Sequence, residues 1–204
     1  MSVSRMAVLA VVLLCLPVAA SASSNVDFSN VGGTLTGTSS GLSLSGSTLT
    51  AVNGLNGGGL ITGNLGSVTF TTGALSSGSL QMGGTFAAGG SFSVIGNGTN
   101  GVPNGVIFSG TFSQPVTWTL VTLPNGSHNY VLTGVISGSL LGGSTNGVTV
   151  QLTVNTGKGF FHGRASLASG DTSVVIVPEP GSLTLLGTGL FGLAGAVRRK
   201  LKML

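Results

Sequence analysis

From Val148 to Asn155 the chain reads VTVQLTVN, an unbroken alternation that puts Val148, Val150, Leu152 and Val154 on one face and Thr149, Gln151, Thr153 and Asn155 on the other. Successive side chains of a strand point to opposite faces, so this stretch predicts a β-strand with one side buried and one in water. Upstream, PVTWTLVTLPNGSHNYVLTGVIS contains two β-rich runs joined through Pro124-Asn125-Gly126-Ser127. Asn-Gly at such a junction predicts a hairpin, because both residues tolerate positive φ.

Further strands are expected at Val68–Thr72, Ser79–Phe86, Ser91–Gly96, Val106–Phe112, Gly159–Leu167 and Thr172–Val177. Short strands at roughly ten-residue spacing fit an antiparallel sandwich or barrel, and no amphipathic helix is evident. The stretch GGTLTGTSSGLSLSGSTLTAVNGLNGGGLITG is of lower complexity and reads as edge strands or part of a solenoid. No fixed period emerges from it, so an irregular β-solenoid is the second choice behind an all-β sandwich or barrel.

The two ends break this pattern. MSVSRMAVLAVVLLCLPVAASA, residues 1–22, carries one cation at Arg5, an apolar run and an Ala20-Ser21-Ala22 site, and so predicts a signal peptide removed by signal peptidase after export. The only cysteine, Cys15, lies in that run behind Val12, Leu13 and Leu14, which is not the setting of a lipidated cysteine, and no disulfide can form within one chain. At the other end Pro178-Glu179-Pro180 precedes an apolar stretch, residues 181–197, and a basic tail with Arg198, Arg199, Lys200 and Lys202. Each proline lacks an amide donor and biases its predecessor toward extended geometry, so the tripeptide is expected as an extended grip for a protease at the outer edge of the membrane. The apolar stretch predicts a short transmembrane helix, and the basic tail would stay in the cytoplasm with the body outside.

VPEPGSLTLLGTGLFGLAGAVRRK, from Val177 to Lys200, resembles the PEP-CTERM sorting signal in its Pro-Glu-Pro motif, short apolar helix and Arg-rich end, in that order. The resemblance implies recognition by an exosortase, a membrane-embedded cysteine protease or transpeptidase, in a Gram-negative bacterium that makes exopolysaccharide. The same segment type is also labelled an ice-binding-protein C-terminal domain. Three domains are therefore expected: a signal peptide at 1–22, a Gly/Ser/Thr-rich β domain at 23–177, and the sorting signal at 178–204.

Composition narrows what the middle can do. Only 5% of the 204 residues are charged and 37 are glycine, yet 41% are hydrophobic, which argues against disorder. No Asp, Glu, Lys or Arg occurs between Phe28 and Gly157; the body holds Asp27 and Asp171 against Lys158 and Arg164. Five of the seven bases lie in the terminal segments, so a nucleic-acid groove is excluded despite the formal charge of +4. His128 follows the hairpin turn and His162 stands beside Phe160 and Phe161; neither they nor the two aspartates have metal-ligand spacing, and no metal or other cofactor is expected.

Chemistry-bearing motifs fare no better. Gly37-Thr38-Ser39-Ser40-Gly41 matches G-x-S-x-G without the strand–turn–helix that makes a nucleophile elbow. Gly187 to Gly192 matches G-x-G-x-x-G, but inside the apolar run and with no downstream acid to reach a ribose. Asp27 and Asp171 are too few and too far apart in sequence for a glycosidase pair or a calcium site. No catalytic residue is assigned.

Trp118 and Tyr130 flank the hairpin, where cross-strand packing is the ordinary role and a sugar-stacking face the functional one. The expectation is a non-enzymatic exported protein, anchored transiently in the inner membrane and then placed on the outer surface or in the extracellular matrix. Its neutral β domain would serve matrix structure or adhesion beside exopolysaccharide. A secreted carbohydrate-binding module is the alternative, and ice binding through threonine-rich runs such as TLTGT a lesser one.

Overall fold

The structure, a computed structural model, describes residues 24–176. These residues form one unit with twelve strands and no α-helix: β1 (Ser24–Val31), β2 (Thr34–Thr38), β3 (Gly41–Asn53), β4 (Ile61–Thr71), β5 (Leu75–Ser79), β6 (Gly83–Phe86), β7 (Gly89–Asn97), β8 (Asn104–Phe112), β9 (Val116–Thr122), β10 (His128–Leu140), β11 (Gly143–Asn155) and β12 (Arg164–Ile176). The expected signal helix, sorting helix and residues Ala20, Ala22, Pro178, Glu179, Pro180, Arg198, Arg199, Lys200 and Lys202 lie outside the described residues.

Pairing is antiparallel throughout, and its register shows that the strands form fewer, longer courses. β1 and β2 lie end to end between β12 and β3: Asn30 faces Gly170 and Thr36 faces Arg164 in one register, interrupted only at Gly32-Gly33. In the same way β8 and β9 share one edge of β10, while β6 and β7 share the facing edges of β9 and β8. β4 and β5 take up the other edges of β7 and β6. Four such junctions turn twelve strands into eight courses, each paired with its neighbours in sequence.

The circuit closes where β12 pairs with β1 and β1 with β3. The architecture is an up-and-down antiparallel barrel, so of the sequence expectations it realises the barrel rather than the solenoid. A solenoid stacks coils side by side in parallel, whereas here every turn reverses the chain. Closure gives every strand but β5 two partners, so β5, which pairs with β6 alone, is the one strand among the described residues left with a free edge.

Inward positions are apolar. Val148, Val150, Leu152 and Val154 are all buried, as the alternation in β11 requires. Phe70, Phe92, Phe108 and Phe112 pack at the centre, with Phe92 edge-on to both Phe108 and Phe112 at centroid distances of 6.0 and 6.3 Å. Interior side chains fill the barrel, while Thr117, Thr133, Thr149 and Gln151 are exposed on its wall. This polarity is the reverse of a membrane-spanning barrel, whose wall needs an apolar band. Among the described residues no helix is long and apolar enough to cross a membrane.

Several expected strands move. Ser79–Phe86 is a hairpin, with β5 ending at Ser79 and β6 starting at Gly83. Gly159–Leu167 is mostly loop, since β12 begins at Arg164. At the predicted Asn125-Gly126 turn only Gly126 adopts positive φ, at 78°. Asn125 instead accepts hydrogen bonds through its side-chain oxygen from the amide and hydroxyl of Ser127, an Asx arrangement that closes the turn without a left-handed asparagine. The turn between β10 and β11 has no such signal, and places Leu141 at φ 48° and Gly142 at φ 88°.

Candidate functional site

Because the courses alternate in direction, the barrel has two distinct ends. One is built from the turns 39–40, 80–82, 123–127 and 156–163. The other carries the loops 54–60 and 98–103, the turn at Leu141-Gly142, and both ends of the described chain, since Ser24 pairs with Ile176. The loops 54–60 and 98–103 repeat one local solution: Gly54-Leu55-Asn56-Gly57 and Gly98-Thr99-Asn100-Gly101 each enter on a left-handed glycine and place an asparagine at φ 52° or 55°. Asparagine tolerates that region because its short side chain bonds locally.

The aromatic pair closes the first end. Trp118 and Tyr130 are interior, 1% and 0% exposed, and stack at 5.0 Å between centroids with Phe161 edge-on to the indole at 5.3 Å. The Trp118 Nε1 donates to the carbonyl of Leu80 at 2.9 Å, and the Tyr130 hydroxyl donates to the carbonyl of Gln81 at 2.6 Å while accepting from the Phe161 amide at 3.0 Å. Two polar tips therefore latch the 80–82 turn and the 156–163 loop across the mouth. Neither ring presents a face to solvent, so the sugar-stacking role considered for this pair is corrected to a plug holding that end shut.

The other sequence candidates scatter. His128 is half-buried, stacked on Phe160 at 4.6 Å and bonded through Nδ1 to the Thr122 hydroxyl at 3.1 Å, while His162 is exposed on the adjoining loop. Gly37 to Gly41 forms the β2–β3 hairpin, with the Ser40 amide bonded to the Thr38 hydroxyl, so the G-x-S-x-G match has no nucleophile elbow.

Closure does bring together what the sequence separates. Asp27 faces Ser173 and Asp171 faces Ser29 across the β1–β12 seam, so the two aspartates become diagonal neighbours on the outer wall. Asn25 donates to both Asp27 oxygens, Ser29 donates to Asp171 at 2.8 Å, and Ser173 donates to Asn25. Sequence reasoning missed this because it cannot see which strand closes the ring. Among the described residues no group of three or more His, Cys, Asp and Glu gathers to hold a metal.

Beside the seam an open groove of about 500 Å³ crosses β9 to β12, lined among others by Thr117, Thr133, Thr149, Gln151, Asp171 and Ser173. Register explains the row: Thr117 faces Thr133, Thr133 faces Gln151, and Gln151 faces Asp171. The Thr117 and Thr133 hydroxyls bond to each other. Hydroxyls, one amide and a single carboxylate here share the groove with the apolar groups of Pro115, Val135 and Val150.

The described chain is thus an all-β, antiparallel domain with a filled core and a polar, nearly uncharged wall. Directly after its last strand, residues 177–200 match the family model of the PEP-CTERM protein-sorting motif. The motif supports an exported, exosortase-sorted protein that passes through a transient membrane-anchored state. No curated protein and no solved structure matches the chain, and the barrel has no assigned family.

Proposed function

We propose that the chain is a non-enzymatic surface or extracellular-matrix protein, delivered as an exosortase substrate and placed among exopolysaccharide. The observation that carries this reading is the sorting motif at 177–200, contiguous with a closed barrel whose wall is polar and nearly uncharged. A surface of Ser, Thr, Asn and Gln makes neutral hydrogen bonds, which salt screens little, and this suits a module held in a hydrated glycan. Gram-negative origin, leader removal before Ser23 and a role in biofilm belong to the same proposal.

The test is intact mass of the protein recovered from cells and medium of an exosortase-bearing host. The expected species starts at Ser23 and lacks the basic tail, and Glu179→Ala leaves an untrimmed, membrane-associated form. Recovery of whole chain from the cytosol would sink the reading.

A second reading is a carbohydrate-binding module, favoured by the groove across β9 to β12 rather than by the buried aromatic pair. Its hydroxyl, amide and carboxylate groups match sugar hydroxyls in donor and acceptor capacity. Binding of a neutral polysaccharide that Gln151→Ala abolishes would support it, and equal binding by that variant would count against it. The ice-binding alternative gains nothing from the fold, since a closed barrel wall curves and twists where a lattice-matching array needs a plane.

A further inference from the structure

We propose that the barrel end at which the chain enters and leaves is a membrane-seating rim, which rests on the lipid surface while the sorting segment is anchored. This rests on the exosortase-substrate reading. It concerns a property of the described domain that the motif does not imply.

Three observations converge on that end. First, Ser24 pairs with Ile176, so both terminal connections leave from one place on the rim. Six residues, Val177 to Ser182, separate Ile176 from the uncharged apolar run beginning at Leu183. Fully extended, the seven steps from Ile176 to Leu183 reach at most about 25 Å, so an anchored run keeps this end of the barrel close to the lipid headgroups.

Second, apolar side chains stand in solvent around the same rim. Leu60 is 67% exposed in the 54–60 loop and Leu141 44% exposed at the β10–β11 turn. Val106 and Ile95, a cross-strand pair near the ends of β8 and β7, are 57% and 38% exposed, and Val175 beside the exit is 45% exposed. A cleft of about 290 Å³ opens between the 54–57 turn and Leu140-Leu141, with Val26, Leu55 and Asn56 in its wall.

Third, Leu141 occupies a backbone conformation that disfavours it. At φ 48° in a two-residue turn, asparagine or glycine is the unstrained choice, so a leucine there gives up local stability to hold an apolar tip outward.

The opposite end lacks both the terminal connections and a left-handed leucine, although it too has exposed apolar side chains. It also exposes Met82, Val121 and Phe160, but Phe160 is stacked against His128, and Lys158 and Arg164 lie there. No terminal connection of the described chain leaves from it. The seating rim contains no Lys or Arg among the described residues, and the carboxylate near it, Asp27 opposite Asn53, adds no attraction to anionic lipid, so the attraction is apolar. Few side chains suffice, because a tethered contact acts at a high effective concentration. The consequence is positional: a barrel resting on its rim starts the connection to the sorting motif, at Ile176, from the interface where a membrane-embedded protease works.

The test uses the full chain, with Cys15→Ser, reconstituted in liposomes containing nitroxide-labelled lipid. A polarity-sensitive dye is placed at Leu60→Cys, at Leu141→Cys and, as the far-end control, at Asn125→Cys; Trp118 fluorescence verifies the fold of each variant. Blue-shifted emission and lipid quenching at 60 and 141, absent at 125 and unchanged in high salt, are expected. If the chain resists carbonate extraction while the dyes at 60 and 141 are as wet as that at 125, the rim proposal fails and the anchoring reading stands. Extraction of the chain by carbonate would overturn the anchoring reading, and the rim with it.

Discussion

Removing one oxygen from Tyr130 is the sharpest test of how the barrel is closed. Tyr130→Phe keeps the ring, its burial and its 5.0 Å stack on Trp118, but withdraws the hydroxyl that donates to Gln81 and accepts from Phe161. The two orphaned groups are unequal. Gln81 sits in an exposed turn, so water can replace the lost donor and the cost there is about 0.5–1 kcal/mol; the Phe161 amide is buried, and leaving it unpaired costs about 1–3 kcal/mol. The sum, about 1.5–4 kcal/mol, corresponds to a fall of about 3–16 °C in Tm for a domain of this size. The assay is thermal unfolding followed by Trp118, the only tryptophan in the chain, with hydrogen exchange at the Phe161 amide as the local readout. The variant should lose stability, and its Phe161 amide should exchange faster than the paired amides of β12. An unchanged Tm together with undiminished protection of that amide would refute the latch.

Other substitutions probe different parts of the same argument. A Cβ at Gly134 would lie 2.6 Å from Phe112 Cε1, and the Phe112 ring is itself held edge-on by Phe70 and Phe92; Gly134→Ala should cost about 1–3 kcal/mol in a denaturant titration, as an overpacked core does. Leu141→Asn should raise stability by about 1 kcal/mol in the same titration, because it relieves a left-handed leucine while the turn's bond from the Leu141 amide to Ile107 remains. Phe92→Ala, at the centre of the phenylalanine cluster, should be the most damaging of these, at about 3–5 kcal/mol.

What could be read from the chain alone follows from what local physics specifies. The alternation of Val148 to Val154, the Pro124-to-Ser127 reversal and the order of proline, acid, apolar run and bases after Val177 are all encoded in adjacent residues. The N-terminal third resisted the same reading for a physical reason. Its buried positions in β3 run Leu42, Leu44, Ser47, Leu49 and Val52, so the spacing is two, three, two and three, and one of the inward places is held by a serine. Irregularities near Gly46 and after Leu49 twice reset which residues face inward. A period of two cannot survive such shifts.

Closure was beyond any window of sequence. Whether β12 returns to β1 depends on strand tilt and stagger summed round the whole ring, and only that return sets Asp27 beside Asp171, lays Thr117, Thr133, Gln151 and Asp171 in one row, and joins the entrance and exit of the barrel at one rim. The chain by itself determined that it would be a neutral, strand-rich passenger with a sorting segment. The tertiary structure alone decided that Trp118 and Tyr130 seal an interior instead of greeting a ligand, because burial is a property of all eight courses together and of no residue's own neighbourhood.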